Sequence, residues 1–231
     1  MPGRVAIFDD QFFRKEARII FPLVKNTIGT IKPTYNLAPT HKIPTLLNTN
    51  EYTYASFGLI PSWAKDNKSI NINARSETLF EKKSFRDSFK SKRCLIPING
   101  FYEWEKVDKE KVPYFIKPVK GGCFVLAGLW DEWYDINSDK KVISVALITT
   151  NPNDKIKTIH DRMPVVLHKK DWKTWMDNNT SLAELNRLFL PYESKHMKMI
   201  EVSSLVNSVK NNSSECIKPY KKKPAIKQTL F

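Results

Sequence analysis

The chain has 231 residues, 41% of them hydrophobic, with 13 Phe, 8 Tyr and 6 Trp, which is enough to bury a substantial core and places it in the folded globular class. Its 38 Lys and Arg against 24 Asp and Glu give a formal net charge of +14 and an isoelectric point near 9.6. That balance points to phosphate polymers, with a solubilising lysine surface as the alternative, and no apolar run approaches the ~20 residues of a membrane helix.

The amino-terminal run Met1-Pro2-Gly3-Arg4 lacks an apolar stretch behind basic residues, so no secretory signal is expected. Removal of Met1 ahead of a small residue leaves Pro2 as a free secondary amine, which can attack an aldehyde and form an iminium. The alternative is a stiff, disordered start. Arg4–Phe8 reads as a short buried strand and Asp9–Ala17 as a helical turn or two. Lys32–Thr40, punctuated by Pro33 and Pro39, reads as irregular backbone carrying Tyr35 and Asn36. Tyr52–Ile60 is strand-like up to Pro61, and Ser62–Asp66 forms a loop with Trp63 beside Lys65.

A short helix is expected from Ser84, with Asp87 at the capping-box position. Cys94–Ile98 and Phe101–Glu105 read as strands joined by the turn dipeptide Asn99-Gly100. Tyr114–Lys117, Cys123–Trp130, Val142–Thr149, a brief Val165–Leu167 and Met197–Val202 complete the strands. Asp171–Met176 and Ser181–Phe189 are the clearest helices. The second has a full capping box in Ser181 and Glu184, and Leu182, Leu185, Leu188 and Phe189 share one face. Many strands and few helices without βαβ alternation predict an α+β protein. Residues 1–220 form a single domain with a mostly antiparallel, partly closed sheet, and residues 221–231 are a basic tail.

Cys94, Cys123 and Cys216 are odd in number and lack CxxC spacing, which predicts reduced thiols in the cytoplasm. His41, His160, His168 and His196 show no metal-ligand spacing, and no metal or other cofactor is expected. Three segments place chemically useful polar residues in apolar or turn settings. In Asn71–Thr78, Asn73 offers an amide and Arg75 a phosphate fork, although the segment reads equally as a loop with a helix cap. In Gly100–Glu105, strand alternation turns Phe101, Glu103 and Glu105 one way and Tyr102 and Trp104 the other. A carboxylate flanked by aromatics would be desolvated and its pKa raised; an exposed edge-strand glutamate is the alternative. In Thr158–Pro164, His160 can shuttle protons, Asp161 can orient it and Arg162 can bind phosphate, against the alternative of a surface loop histidine.

These segments occur in order with Tyr35-Asn36-Leu37-Ala38-Pro39-Thr40, Gly58-Leu59-Ile60-Pro61-Ser62-Trp63, Arg93-Cys94-Leu95-Ile96-Pro97 and Ala127-Gly128-Leu129-Trp130. The series resembles the SOS-response-associated peptidase (SRAP) family of abasic-site-processing proteins, from about Met1 to about Tyr220. The resemblance implies a domain that holds single-stranded DNA in a basic groove and captures the aldehyde of an abasic site with its amino-terminal residue. It implies roles for Asn73, Glu103 and His160 at the reactive site and for Arg4, Arg75 and Arg162 on phosphates. Trp63 is the aromatic expected to stack on a neighbouring base. Cytoplasmic, nucleoid-associated placement follows, or a nuclear one in a eukaryote, and a monomer is expected.

One position departs from the family pattern. The family's second residue is cysteine, whose amine and thiol close a thiazolidine on the aldehyde, whereas Pro2 has no thiol. Pro2 can form at most an iminium, which invites β-elimination of the 3′ phosphate. Two rivals stand beside this reading: a single-stranded DNA-binding variant without chemistry, and the peptidase named in the family's description, which lacks its obvious nucleophile here. Lys227-Gln228-Thr229-Leu230-Phe231 resembles peptides that dock on replication sliding clamps.

Overall fold

The computed structural model describes residues 2–220 except Ser69 and Asn137; Met1 and the tail with its Lys227–Phe231 segment lie outside the described residues. In chain order the elements are β1 (Val5–Ile7), α1 (Gln11–Ile20), β2 (Lys25–Asn26), β3 (Thr34–Leu37), β4 (Lys42–Leu47), β5 (Glu51–Phe57) and β6 (Asn73–Arg75). They continue with α2 (Lys83–Ser91), β7 (Arg93–Ile98), β8 (Gly100–Val107), β9 (Glu110–Pro118), β10 (Phe124–Asp135), β11 (Lys140–Thr150) and β12 (Met163–Pro164). Last come α3 (Trp172–Met176), α4 (Leu182–Arg187) and β13 (Met197–Glu201), with short 3-10 turns between several of them.

The strands form two sheets. The larger runs β12-β11-β10-β7-β4-β5-β2, and β11 pairs again with β5 through Ser144–Ser56 and Val145–Phe57, closing five of its strands into a barrel. The smaller runs β13-β9-β8-β1-β3. The expected α+β architecture with a mostly antiparallel, partly closed sheet is what the chain adopts.

Side-chain alternation assigns the core. In β7, Cys94, Ile96 and Ile98 turn into one cluster that also takes Val5, Ile7, Phe101 and Ile116 from the smaller sheet. Leu95 turns the other way, to a cluster built from α1, α2, α3 and α4 around Phe13, Phe89, Trp172 and Trp175. A strand buried on both faces reads as a continuous apolar run, which is why β7 was legible without alternation. Burial pushes the Cys94 thiol well up, as expected of an inert core thiol. Arg93 is buried and spends its guanidinium on four carbonyls: Phe89 and Lys90 at the end of α2, and Trp175 and Asp177 at the end of α3. Those are carbonyls that a helix end leaves without partners.

Several local expectations give way to tertiary pairing. Thr34–Leu37 is not irregular; it is β3, an edge strand whose Leu37 and Thr34 pair with Val5 and Ile7, with Pro33 and Pro39 just outside it. Asn99-Gly100 is not a hairpin turn. It is the point where the chain leaves the barrel at β7 and enters the smaller sheet at β8. The Asn99 amide secures that crossing: its Oδ1 accepts the Phe8 and Asp9 N–H groups and its Nδ2 donates to the Asp9 and Gly122 carbonyls. The box expected at Ser84 and Asp87 is absent, because α2 begins at Lys83 and Asp87 pairs with Arg86. The Ser181–Glu184 box forms as expected, but Leu182 stays 55% exposed while Leu185 and Phe189 are buried. Val165–Leu167 makes a single bridge, Val166 to Leu126, rather than a strand. Among the described residues no helix is long and apolar enough to cross a membrane.

Gly100 has no room for a side chain. A Cβ there would lie 2.4 Å from Phe115 Cζ and 2.6 Å from the Ile116 carbonyl oxygen, and the carbonyl cannot swing aside. Gly100→Ala is expected to cost about 1–3 kcal/mol of stability, read as a lowered urea midpoint with an unchanged slope.

Candidate functional site

The smaller sheet delivers the amino-terminal residues to a cleft. β1 pairs antiparallel with β8, Val5 opposite Phe101, and the Tyr102 N–H donates to the Arg4 carbonyl at 3.0 Å. Gly3 and Arg4 thus run alongside β8 toward Glu103, and Pro2, just before them, is buried. A cleft of about 540 Å³ is lined by Gly3, Arg4, Glu103, Trp104, Lys106, Lys111, His160 and Asn207. Of the residues singled out in the sequence, the fold brings Arg4, Glu103 and His160 together here.

Glu103 faces the cleft floor and is only 3% exposed. Burial pushes its carboxyl up to about 7, and the charge of Asp161 acts in the same direction. His160 follows a 3-10 turn (Ile156–Thr158), and its backbone N–H donates to the Ile156 carbonyl at 2.8 Å. Its Nε2 lies 3.9 Å from Glu103 Oε2. Its Nδ1 is near two groups that make opposite demands: the Arg162 backbone N–H at 2.9 Å needs an acceptor, and Asp161 Oδ1 at 3.0 Å needs a donor. The backbone N–H cannot be other than a donor, and burial lowers the pKa of His160, favouring the neutral ring. Nδ1 is therefore assigned as the acceptor, which assigns the proton to Nε2, 3.9 Å from Glu103 Oε2.

Arg4 is fixed by three acceptors. Its Nη1 donates to Asn36 Oδ1 at 2.6 Å and to the Val206 carbonyl, its Nη2 donates to the Asn207 carbonyl, and its guanidinium lies 6.0 Å from the centre of the Trp104 ring. Asn36, expected to line a loop, is instead a buried clasp; its Nδ2 donates to the carbonyls of Val206, Ser208 and Asn211.

The remaining expected residues stand outside the cleft lining. Asn73 opens β6 and pairs in register with Leu147; its Oδ1 is buried with no donor among the described residues, which is costly unless a ligand supplies one. Arg75, two residues on, is exposed. Trp63 is 51% exposed, with Lys83 Nζ 4.6 Å from its ring centre, an aromatic and cationic pair on an open surface. Arg162 is buried and bound end-on, through both terminal nitrogens, to Glu77. Sequence reasoning gave no role to Lys106, Lys111, Asn207 or Glu77. The two lysines sit near the tip of the β8–β9 hairpin and nothing in their local pattern marks them. Among the described residues no group of three His, Cys, Asp or Glu side chains is placed to hold a metal ion.

The model of the SOS response associated peptidase (SRAP) family matches residues 1–209. The chain belongs to that family. It is 42% identical over 227 residues to the abasic site processing protein YoaM of Bacillus subtilis, covering 94% of this chain and 97% of that one. It is 44% identical over 199 residues to YoqW of Bacillus phage SPbeta, with 83% and 88% covered. It is 31% identical to the abasic site processing protein HMCES of Xenopus tropicalis, with 84% and 70% covered. A crystal structure of a Bacteroides thetaiotaomicron protein superposes with a TM-score of 0.80 at 24% identity, covering 96% of this chain and 98% of that one. At that identity the likeness concerns the fold alone. The SRAP motifs bring their residues into one architecture, with Gly100–Glu105 on β8, Asn73–Arg75 on β6 and the His160 turn beside β12.

The raised Glu103 pKa has a measurable consequence. The folded protein keeps a proton on Glu103 that the unfolded chain gives up near 4.5, so this group stabilises the protein below that pH. Its contribution is lost progressively as pH rises from about 4.5 to about 7. The difference is on the order of 3 kcal/mol. Glu103→Gln is expected to flatten the urea-unfolding free energy across this window and to be the more stable protein at pH 8.

Proposed function

We propose that the protein binds single-stranded DNA and senses abasic sites, with the Pro2 amine, exposed by removal of Met1, attacking the aldehyde of the ring-opened sugar. The observation that carries this reading is one cleft that gathers Gly3, the basic groups Arg4, Lys106 and Lys111, and a buried carboxyl poised near neutral pH. Membership of a family whose relatives are named abasic site processing proteins supports the same substrate.

The sugar ring oxygen accepts a hydrogen bond from His160 Nε2–H as the ring opens, and the C1′ hydroxyl proton passes through water to that oxygen, giving the C1′ aldehyde and a C4′ hydroxyl. The Pro2 nitrogen adds to C1′, the C=O π bond breaks, and the nitrogen's proton passes to the former aldehyde oxygen, giving a carbinolamine. Protonated Glu103 gives its proton to the carbinolamine hydroxyl, which leaves as water, and a cationic iminium remains. The Glu103 carboxylate so formed can take the C2′ proton while the 3′ phosphate departs, which is β-elimination. A carboxyl with a pKa near 7 is populated in both forms at neutral pH, as a group that gives and then takes a proton must be. The Asn73 amide is assigned to hold the sugar, Arg4 and the exposed Arg75 to contact phosphates, and Trp63 to stack on a neighbouring base.

Borohydride added to the protein and abasic single-stranded DNA is expected to reduce the iminium to a stable tertiary amine and so trap a cross-link. Mass spectrometry of the amino terminus, run in parallel, reads whether Pro2 is free. Pro2→Cys is expected to cross-link without borohydride, since it can close a thiazolidine. Absence of any trapped adduct from a protein with a free Pro2 that still binds DNA would overturn the covalent step and leave a binding protein without chemistry. Arg75→Ala is expected to lower the salt slope of DNA binding by about one.

A further inference from the structure

We propose that Glu77 is a positioning residue for His160, acting through Arg162. The inference rests on the reading of His160 as part of the reactive site. Glu77 and Arg162 meet end-on, Nη1 to Oε1 at 2.7 Å and Nη2 to Oε2 at 2.8 Å. Nη1 also donates to Asn151 Oδ1 at 3.4 Å, and Nη2 to the Thr149 carbonyl at 2.6 Å. All four terminal N–H bonds of Arg162 are thus spent inside the protein, its Nε is buried, and the residue is only 8% exposed. A guanidinium held this way presents no fork to a phosphate.

The backbone of Arg162 performs a different task. Its N–H donates to His160 Nδ1 at 2.9 Å, and a ring nitrogen that accepts there leaves the proton on Nε2, facing Glu103. A single residue, Asp161, separates the guanidinium anchor from the ring it orients, so holding the anchor holds the ring. Glu77 is itself held: it lies in a 3-10 turn (Ser76–Thr78) that follows β6 directly, and β6 is paired with β11 through Leu147, Ile148 and Thr149. The ion pair therefore joins the Asn73 segment to the His160 segment, 85 residues apart in sequence, and sets both the place and the tautomer of His160. Glu77 does not line the cleft and acts only through Arg162.

Nitrogen-15 NMR of the imidazole in DNA-free protein tests this without reference to DNA chemistry. In the native protein His160 is expected to show one pyridine-like and one pyrrole-like nitrogen. In Glu77→Gln the two signals are expected to move toward each other as the tautomers average. Arg162→Lys keeps the charge and the backbone N–H but loses the two-pronged end-on fork. It is expected to do the same, and it decides the matter if the first variant does not fold. The rate of borohydride-trapped adduct formation is expected to fall on the order of tenfold or more, with DNA affinity and its salt slope unchanged. An unchanged His160 spectrum in both variants overturns the proposal. So does a Glu77→Gln protein that binds DNA more tightly with a steeper salt slope, since Glu77 would then be masking a phosphate-binding arginine. If no version of the protein forms an adduct, the functional reading fails, and the NMR result still decides the role of Glu77.

Discussion

The cleft depends first on how the amino-terminal strand is held. Three residues of β1 lie between β8 and β3, and one side-chain amide, that of Asn99, closes four hydrogen bonds around the exit of that strand. Asn99 fixes the exit of β1, while the pairing with β8 and the bonds of Arg4 to Asn36, Val206 and Asn207 hold Gly3 and Arg4 beside Glu103. The barrel contributes rigidity on the far side: β7 is buried on both faces and enters the crossing at Ile98 with no slack. Gly100 then lets the backbones of β8 and β9 approach closely enough to exclude solvent.

Much of the site's chemistry was legible because it is local. The aromatic side chains around Glu103 leave two readings open, a desolvated carboxyl and an exposed edge-strand glutamate, and the structure buries it. The two helix caps show where such reading fails. Ser181 stands immediately before an apolar face that has a core to meet, and its box forms. Ser84 and Asp87 carry the same pattern in a helix whose start is set by how Phe85 and Phe89 pack, and no box forms. Asn99-Gly100 has the composition of a hairpin turn. Whether a turn dipeptide reverses a chain within one sheet or passes it to another is decided by the strands on either side, and β1, nearly a hundred residues earlier, decides it here. The same holds for Thr34–Leu37, where Pro33 and Pro39 argue against a strand until β1 offers its edge.

Residues that matter through long-range contacts left no local trace. Glu77 sits inside a recognisable motif, yet its partner is on another segment. Lys106, Lys111 and Asn207 enter the cleft only because a hairpin and a late loop fold over it. The distribution has a physical basis. Groups that perform chemistry need particular neighbours along their own strand, which a sequence displays. Groups that place them need particular neighbours across the fold, which it does not.

The clasp at Asn36 carries a consequence for the order in which the protein matures. Arg4 is fixed by the carbonyls of Val206 and Asn207, about two hundred residues downstream, and Asn36 binds the same late segment. A chain emerging from a ribosome presents its first residues long before that segment exists, and closing so large a loop is among the slower steps of folding. Arg4 is thus made about two hundred residues before the segment that fixes it. During synthesis the segment around Arg4 has no formed clasp behind it, and it acquires one only when residues 206–211 have emerged.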